Sequence, residues 1–366
     1  MIPLFQHFPV LKNKLSHISL CDLPTPVFHL TRTGKNLGLD KLYMKMDGFT
    51  GKIYGGNKVR KLEFLLGEAL GKKLKEVMTF GGAGSNHATA TAIYAKKVGL
   101  SSISMLLPQI NAEYVRKNLL LSYLYGAELR HFPNYFHLSI GKKYHCFKHW
   151  LRKGKMPYII PMGGSSPVGI AGYVNAAFEL KQQIEQNNIP EPDIIYVALG
   201  SAGTMIGLLI GIKVLNIQSR LVPVRVVPFK TANLETIKKL FTETVSFLCS
   251  LDPSFPCVKF PQDELKIRDE FFGNDYAHFT NEGIEAIKLI KELEDIRLDG
   301  TYTGKTFAAL IYDAKSGNLN DKKVLFWNTL NARDFPDEIK GLDYHELPKS
   351  FHRYFEEEVQ ELDKHY

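Results

Sequence analysis

The sequence predicts an α/β fold built from two open, twisted, mostly parallel sheets, with a ligand site in the cleft between them. Three observations carry this expectation. Short apolar runs alternate with helical stretches, the pattern of parallel strands joined by crossover helices. Two of those runs, Glu76–Phe80 and Asp193–Leu199, lead into small-residue loops and then into apolar helices. Ligands in open α/β sheets bind at the carboxyl ends of the strands, so two such junctions imply two sheets facing one site. Finally, 366 residues exceed the size, roughly 250–300 residues, at which one core tends to divide. The expected division is a larger unit of residues 1–58 and 165–366 and a smaller unit of residues 59–164.

The first strand of the smaller unit, Glu76–Phe80, is followed by Gly81–Asn86 and by a small-residue helix through Ala90, Ala92 and Ala95. Ser102–Leu107 reads as the next strand. In the larger unit, Asp193–Leu199 is apolar throughout and precedes a second small-residue loop. Asn281–Glu294 places Ile284, Ile287, Ile290 and Leu293 on one helical face. The charge-rich segment Phe351–Tyr366 is expected to be a surface helix or a partly disordered end.

Hydrophobic residues at 45% and charged residues at 23% match folded globular proteins and argue against a disordered chain. The net charge of +8 is spread along the sequence, and its densest group, Lys72, Lys73 and Lys75, is short. Without zinc-finger spacing or a long basic run, no nucleic-acid partner is expected. Cys21, Cys146, Cys249 and Cys257 are far apart and form no CxxC pair, so free or buried thiols in a reducing compartment are expected. Met1–Gln6 lacks a signal-peptide pattern, and the most apolar stretch, Met205–Leu215, falls short of the about 20 residues that span a bilayer. No membrane partner and a cytoplasmic location follow. His145 and His149 are four apart, but no HExxH glutamate or third ligand accompanies them, so no metal is expected. No GxSxG elbow is present.

Three constellations carry candidate chemistry. In Tyr54–Glu63 two glycines precede a helix whose Val59, Leu62, Leu65 and Leu66 face a core. Lys58 sits at the helix start, where the dipole and neighbouring Arg60 and Lys61 oppose its protonation, as Schiff-base chemistry requires. Lys61 lies one turn on, placed for a phosphate. Read alone, the same segment is equally a loop entering a helix with a solvated basic face. Gly81–His87 offers backbone N–H groups at a helix N-terminus for an anion, with Ser85 and Asn86 as further donors, or else simply a capped turn. Leu199–Thr204 has neither GxGxxG spacing nor a P-loop lysine. Its small residues and two hydroxyls suit a phosphate or a tightly packed turn.

In this order, the segments resemble the pyridoxal 5'-phosphate (PLP) enzymes of the tryptophan-synthase β-subunit superfamily, fold type II. More closely they resemble the group containing 1-aminocyclopropane-1-carboxylate (ACC) deaminase and D-cysteine desulfhydrase. The similarity runs from Thr25–Pro26 to about Asn331, and its most specific part is the GGNKxRKLE string at residues 55–63. The resemblance implies that Lys58 holds PLP covalently and that Lys61 helps hold its phosphate. Ser201, Ala202, Gly203 and Thr204 would form the rest of the phosphate site. Asn86 would bond the ring hydroxyl, Ser85 the substrate carboxylate, and Tyr276 and Tyr302 would be active-site tyrosines. A small amino-acid substrate and a homodimer are further implications.

Two positions bear on the reaction. Thr303 falls where ACC deaminases carry a glutamate facing the pyridine nitrogen, and Thr329 where deaminases tend to have leucine and desulfhydrases threonine. Both point to α,β-elimination of D-cysteine to pyruvate, ammonia and sulfide. ACC deamination is the alternative. A PLP-binding protein without catalysis is another, since Leu330–Asn331 replaces a usual glycine pair. Two more departures are Gly84, where relatives often have glutamine, and the aromatic and basic segment Asn134–Trp150.

Overall fold

Strands that are covered by helices on both faces need continuous rather than alternating apolar sequence, and the runs singled out above are of that kind. Val77, Met78, Ile195, Tyr196 and Val197 are all fully buried. The computed structural model describes residues 1–365 and arranges nine strands there in two sheets. They are β1 (Val27–His29), β2 (Leu42–Met46), β3 (Glu76–Gly82), β4 (Ser101–Leu107), β5 (Glu128–His131), β6 (Tyr158–Ile159), β7 (Ile194–Leu199), β8 (Arg220–Arg225) and β9 (Val324–Asn328). The larger sheet has the order β1-β2-β9-β7-β8 and the smaller β5-β4-β3-β6. All pairings within them are parallel except that of β1 with β2.

Register decides where the loops emerge. β3 and β4 pair from Glu76 opposite Ser101 to Gly82 opposite Leu107, so the loops after both strands open at one edge. β7 pairs with β8 up to Leu199 opposite Arg225, and the loop after Leu199 opens likewise. The two edges face each other: a methyl added at Gly82 would lie 3.5 Å from the ring of Tyr276, which belongs to the chain after β8. The helix Asn57–Gly71 lies where the two sheets meet, packing on the helix Pro167–Glu185 and on the helix Asn86–Lys97.

That helix is anchored by a buried ionic network. Arg60 donates to Asp47 Oδ1 at 2.7 Å and to Glu179 Oε2 at 2.8 Å, and all three side chains are essentially inaccessible. Lys45 on β2 reaches Glu179 at 2.5 Å. The remaining acceptor sites of Asp47 are filled by Trp327 Nε1 at 2.8 Å, by the Tyr173 hydroxyl and by the Thr25 hydroxyl. Two cations and two carboxylates balance. Burial alone would raise the Glu179 pKa, yet Arg60 and Lys45 outweigh it and hold it down to about 2.

Two expectations are corrected. Cys249 and Cys257 form a disulfide, because the turn after the helix Leu234–Leu251 brings their Cα atoms to 6.1 Å; Cys21 and Cys146 are free thiols. The C-terminal segment is neither a loose end nor a plain surface helix. It runs through short helical turns, with Phe351 and Tyr354 buried. Its many charges conceal these two aromatic anchors in the sequence. Asn111 and Arg116 donate to the Tyr354 carbonyl at 3.0 and 2.7 Å, and Gln360 donates to the Ala277 carbonyl at 3.1 Å while accepting from the Phe279 N–H at 2.8 Å.

Removing Arg60 leaves two buried carboxylates short of a cation, so Arg60→Met is expected to lose about 3–5 kcal/mol of stability, read as a lower urea midpoint. Since the Glu179 pKa lies below its unfolded value, roughly 4.3, its stabilising share is complete above that pH. It is lost as the pH falls towards about 2. Acid unfolding of Arg60→Met should therefore begin at higher pH than that of the parent chain.

Candidate active site

The facing loops enclose a cavity of about 490 Å³, lined among others by Lys58, Ser85, Asn86, residues 200–204, Tyr276 and Tyr302. That is the size of a small-ligand site. A wider recess of about 1210 Å³ lies under the N-terminal segment and gathers none of the candidate catalytic or cofactor-binding residues. The cleft is therefore the candidate site.

Lys58 enters it from the second position of the helix Asn57–Gly71. The approach is made by Gly55 and Gly56. A Cβ on Gly55 would strike the Gly48 carbonyl at 1.8 Å, and Gly56 adopts φ 91°, closed to most residues. Burial lowers the Lys58 pKa to about 8, against the opposing pull of Asp299. The expected role of Arg60 in this shift is corrected: its guanidinium turns away to Asp47 and Glu179. Desolvation, not a cationic neighbour, brings the Lys58 pKa close to physiological pH.

Lys61, one turn on, faces the same region. Its Nζ donates to the Gly163 carbonyl at 3.0 Å and to Ser165 Oγ at 3.3 Å. Beside it the loop after β7 turns through Ala202, held at φ 63°, into the helix Gly203–Val214. Ser201 and Ser165 hydroxyls meet at 2.8 Å, and Thr204 Oγ1 accepts from Asn57 Nδ2 at 3.0 Å. A Cβ on Gly163 or Gly203 would come within 2.1 Å of Ser201 Oγ or 2.5 Å of Ser165 Oγ. The cradle thus requires glycine at both points. His87 closes the same corner. It is 2% exposed, burial pushes its pKa well down, and Lys58 and Lys61 push it further.

Ser85 caps the helix Asn86–Lys97, accepting from the Ala88 N–H at 3.3 Å, and it also lines the cavity. The capped turn is thus present, and it leaves Ser85 on the cavity wall. Asn86 Oδ1 accepts from Asn118 at 2.8 Å and from the Tyr54 hydroxyl at 3.2 Å, which fixes the orientation of its amide. Opposite, the Tyr276 and Tyr302 hydroxyls lie 2.5 Å apart, and burial raises the pKa of both phenols.

Thr303 is fully buried behind this pair and is not part of the cavity wall. Its hydroxyl donates to Asp299 Oδ2 at 2.8 Å and accepts from the Asp299 N–H at 2.7 Å. Asp299 does line the cavity, and its other oxygen accepts the N–H groups of Thr301 and Tyr302 at 2.9 and 2.6 Å. Thr329 and Leu330 line the cavity, while Asn331 braces the approach to Lys58 by accepting from the Gly55 N–H at 2.6 Å. At Gly84 there is no room for a side chain: Val115 and Tyr114 lie within 2.8 Å of a Cβ there. Gln109, from the loop after β4, fills that corner, accepting from the Gly84 N–H at 2.9 Å and donating to the Tyr114 hydroxyl at 2.9 Å.

The family model described as "Pyridoxal-phosphate dependent enzyme" matches residues 18–329, most of the chain. The chain belongs to this family. A Pyrococcus furiosus protein named "Putative 1-aminocyclopropane-1-carboxylate deaminase" is 36% identical over 320 residues, 87% of this chain and 93% of that one. A D-cysteine desulfhydrase from Serratia proteamaculans is 31% identical over 338 residues, 88% of this chain and 96% of that one. A crystal structure described as an ACC deaminase homologue superposes with a TM-score of 0.76 at 34% identity, covering 89% of this chain and 94% of the other. The protein is a pyridoxal-phosphate-dependent enzyme of the ACC deaminase and D-cysteine desulfhydrase group.

The residues present fit the cofactor. The glycine-floored cradle, with Lys61 and the start of the helix Gly203–Val214, suits a phosphate dianion. Both ring nitrogens of His87 are buried and find no partner among the described residues, so a neutral imidazole there has a donor and an acceptor to offer. Lys58 would hold the aldehyde carbon and Asn86 the ring hydroxyl.

Sequence reasoning missed several residues that line this cavity, His87, Asn57, Gln109 and Asp299, and Tyr114, which holds Gln109 from behind. Asp299 had a local signal, an acid preceding Thr301–Thr303 at a helix entry, the composition of a side-chain-capped turn. Gln109 and Tyr114 reach the site only through tertiary packing.

Labelling of Lys58 by an amine-selective reagent in the cofactor-free protein is expected to follow a midpoint of about 8, rising with pH as the neutral amine forms. Exposed lysines titrate near 10.4, roughly two pH units higher. Asp299→Asn should move the midpoint down, because Asp299 favours the protonated amine. Peptide mass spectrometry across pH gives both values.

Proposed function

We propose that this enzyme is a D-cysteine desulfhydrase-like lyase, forming pyruvate, ammonia and sulfide from D-cysteine. The observation that carries the reading is the threonine at 303, whose hydroxyl is already committed to Asp299. By the family resemblance, ACC deaminases carry a glutamate facing the pyridine nitrogen at this position; here the side chain lies behind the cavity wall and brings no carboxylate to it. A neutral hydroxyl stabilises a protonated ring less than a carboxylate does. A weaker electron sink suits elimination of a good leaving group better than opening of a cyclopropane ring. Thr329 in the cavity wall supports the same side.

When bound, PLP supplies the electron sink that acidifies the substrate Cα–H. Lys58, whose pKa of about 8 makes the neutral amine accessible near neutral pH, takes that proton once the substrate amine has displaced it. Ser85, with the N–H groups around the start of the helix Asn86–Lys97, holds the substrate carboxylate. Breaking the Cβ–S bond releases thiolate, and the coupled Tyr276–Tyr302 phenols, kept neutral by burial, supply a proton to it. The released enamine takes up water to give pyruvate and ammonia. The cleft between the two sheets, in a homodimer, is the setting this reading assigns. The second reading, ACC deamination, is favoured by the 36% identity to the Pyrococcus furiosus protein.

The PLP-loaded protein, assayed in parallel with D-cysteine, L-cysteine and ACC, is expected to release pyruvate and sulfide from D-cysteine alone. Release of 2-oxobutyrate from ACC would replace this reading with the second. Inertness towards all three would favour a non-catalytic PLP-binding protein. Lys58→Ala should abolish turnover, and Tyr276→Phe or Tyr302→Phe should lower kcat by about 10²–10⁴-fold, the usual share of proton transfer.

A further inference from the structure

We propose that the helix Tyr135–Lys153 seats the protein on an anionic lipid surface. Thirteen large apolar residues are exposed among the described residues, and eight of them fall between Tyr135 and Met156. Within the helix, Phe136, Ile140, Tyr144, Phe147 and Leu151 follow one another at steps of four, four, three and four. At 3.6 residues per turn these five share one stripe about 80° wide. Each is more than half exposed. The opposite face is already in use: Leu138 is buried, Cys146 packs beside Phe80 and Met105, and His149 pairs with Glu76. The stripe is therefore a second apolar face, the one left to solvent.

Charge identifies the occupant. Lys142, Lys143, Lys148, Arg152 and Lys153 lie on this helix, and no Asp or Glu occurs from Leu129 to Phe178. By helical spacing, Lys143 and Trp150 border the stripe on one side and Lys148 and Arg152 on the other. An aromatic and aliphatic stripe whose charged border residues are all cations is the composition of helices that lie in the headgroup region of acidic membranes. A second copy seated on a two-fold axis through the stripe fits poorly, because that contact sets the patch on itself and cation against cation without a carboxylate. No helix among the described residues is long and apolar enough to cross a membrane. The expectation of no membrane partner rested on the lack of a spanning segment, which a surface-lying helix does not need. Pro133, Asn134 and Tyr135 also line the catalytic cavity, so the seated face adjoins the mouth of the cleft.

The test is co-sedimentation of the full-length, PLP-loaded protein with phosphatidylcholine vesicles, with and without phosphatidylserine. Binding to the phosphatidylserine vesicles only is expected, weakened about tenfold or more by Phe147→Ser/Leu151→Ser, by Lys143→Glu/Lys148→Glu and by high salt. The sequence has two tryptophans; Trp327 is fully buried, so a blue shift of tryptophan fluorescence on binding reports Trp150. All four substituted residues lie outside the catalytic cavity, and both double variants should keep the parent's circular dichroism and turnover in free solution. Equal binding to both vesicle types, or binding unchanged in Phe147→Ser/Leu151→Ser, would overturn the proposal. So would self-association that this variant abolishes, which would make the stripe a contact between copies. Polyglutamate bound as tightly as the vesicles would overturn it in favour of an acidic protein.

Discussion

The guanidinium of Arg60, clasped between the carboxylates of Asp47 and Glu179, is the contact on which the site depends. Arg60 is two residues from Lys58 and adjacent to Lys61, so whatever fixes its side chain fixes the pitch of the helix that aims both lysines. The clasp draws on the N-terminal segment through Thr25, on β2 through Lys45, on the helix Pro167–Glu185, and on β9 through Trp327. Desolvating four charges costs several kcal/mol per ion before any attraction is counted. Here three of the four carboxylate oxygens accept at least two hydrogen bonds and the fourth, Glu179 Oε2, accepts one from Arg60, which offsets that cost and leaves one geometry. A hydrophobic substitute could match its stability but not its direction.

Above the clasp, burial sets the protonation states of the cleft. It lowers Lys58, Lys61 and His87 and raises Asp299, Tyr276 and Tyr302, in each case as the largest cause. The wall carrying the lysines therefore tends towards neutral bases, and the two phenols facing it remain neutral acids. A proton can leave carbon on one side and reach a leaving group on the other without a charge being stranded in a dry cavity. Asp299 spends its two oxygens on the turn that positions Tyr302, and so orders that wall while also tempering Lys58.

Strands β3, β4 and β7 and the loops after β3 and β7 were legible because buried parallel strands and small-residue turns leave local patterns; the other six strands were not read from the sequence. Asn281–Glu294 is helical over the range read from its isoleucines. Lys58 was legible from the glycines and apolar periodicity around it, but the reason for its lowered pKa was not. Whether Arg60 crowds Lys58 or turns from it depends on Asp47 and Glu179, one of them 119 residues away. The Gln109–Gly84 contact, the orphaned nitrogens of His87 and the burial of Tyr354 are likewise products of packing between distant segments. Thr303 was expected at the cofactor, yet it lies behind the cavity wall on Asp299, a partner that could be found only where the turn closes.

The C-terminal segment bears on how the cleft is framed. Tyr354 and its neighbours take hydrogen bonds from Asn111 and Arg116 on the side of the smaller sheet, while Gln360 holds the backbone of Ala277 and Phe279 directly after Tyr276. The last residues of the chain thus act as a clasp across the outside of the cavity, joining two rims that no strand connects. A nick after Pro348 would spare every residue that touches the ligand and still unfasten the frame that keeps the two rims at a fixed separation.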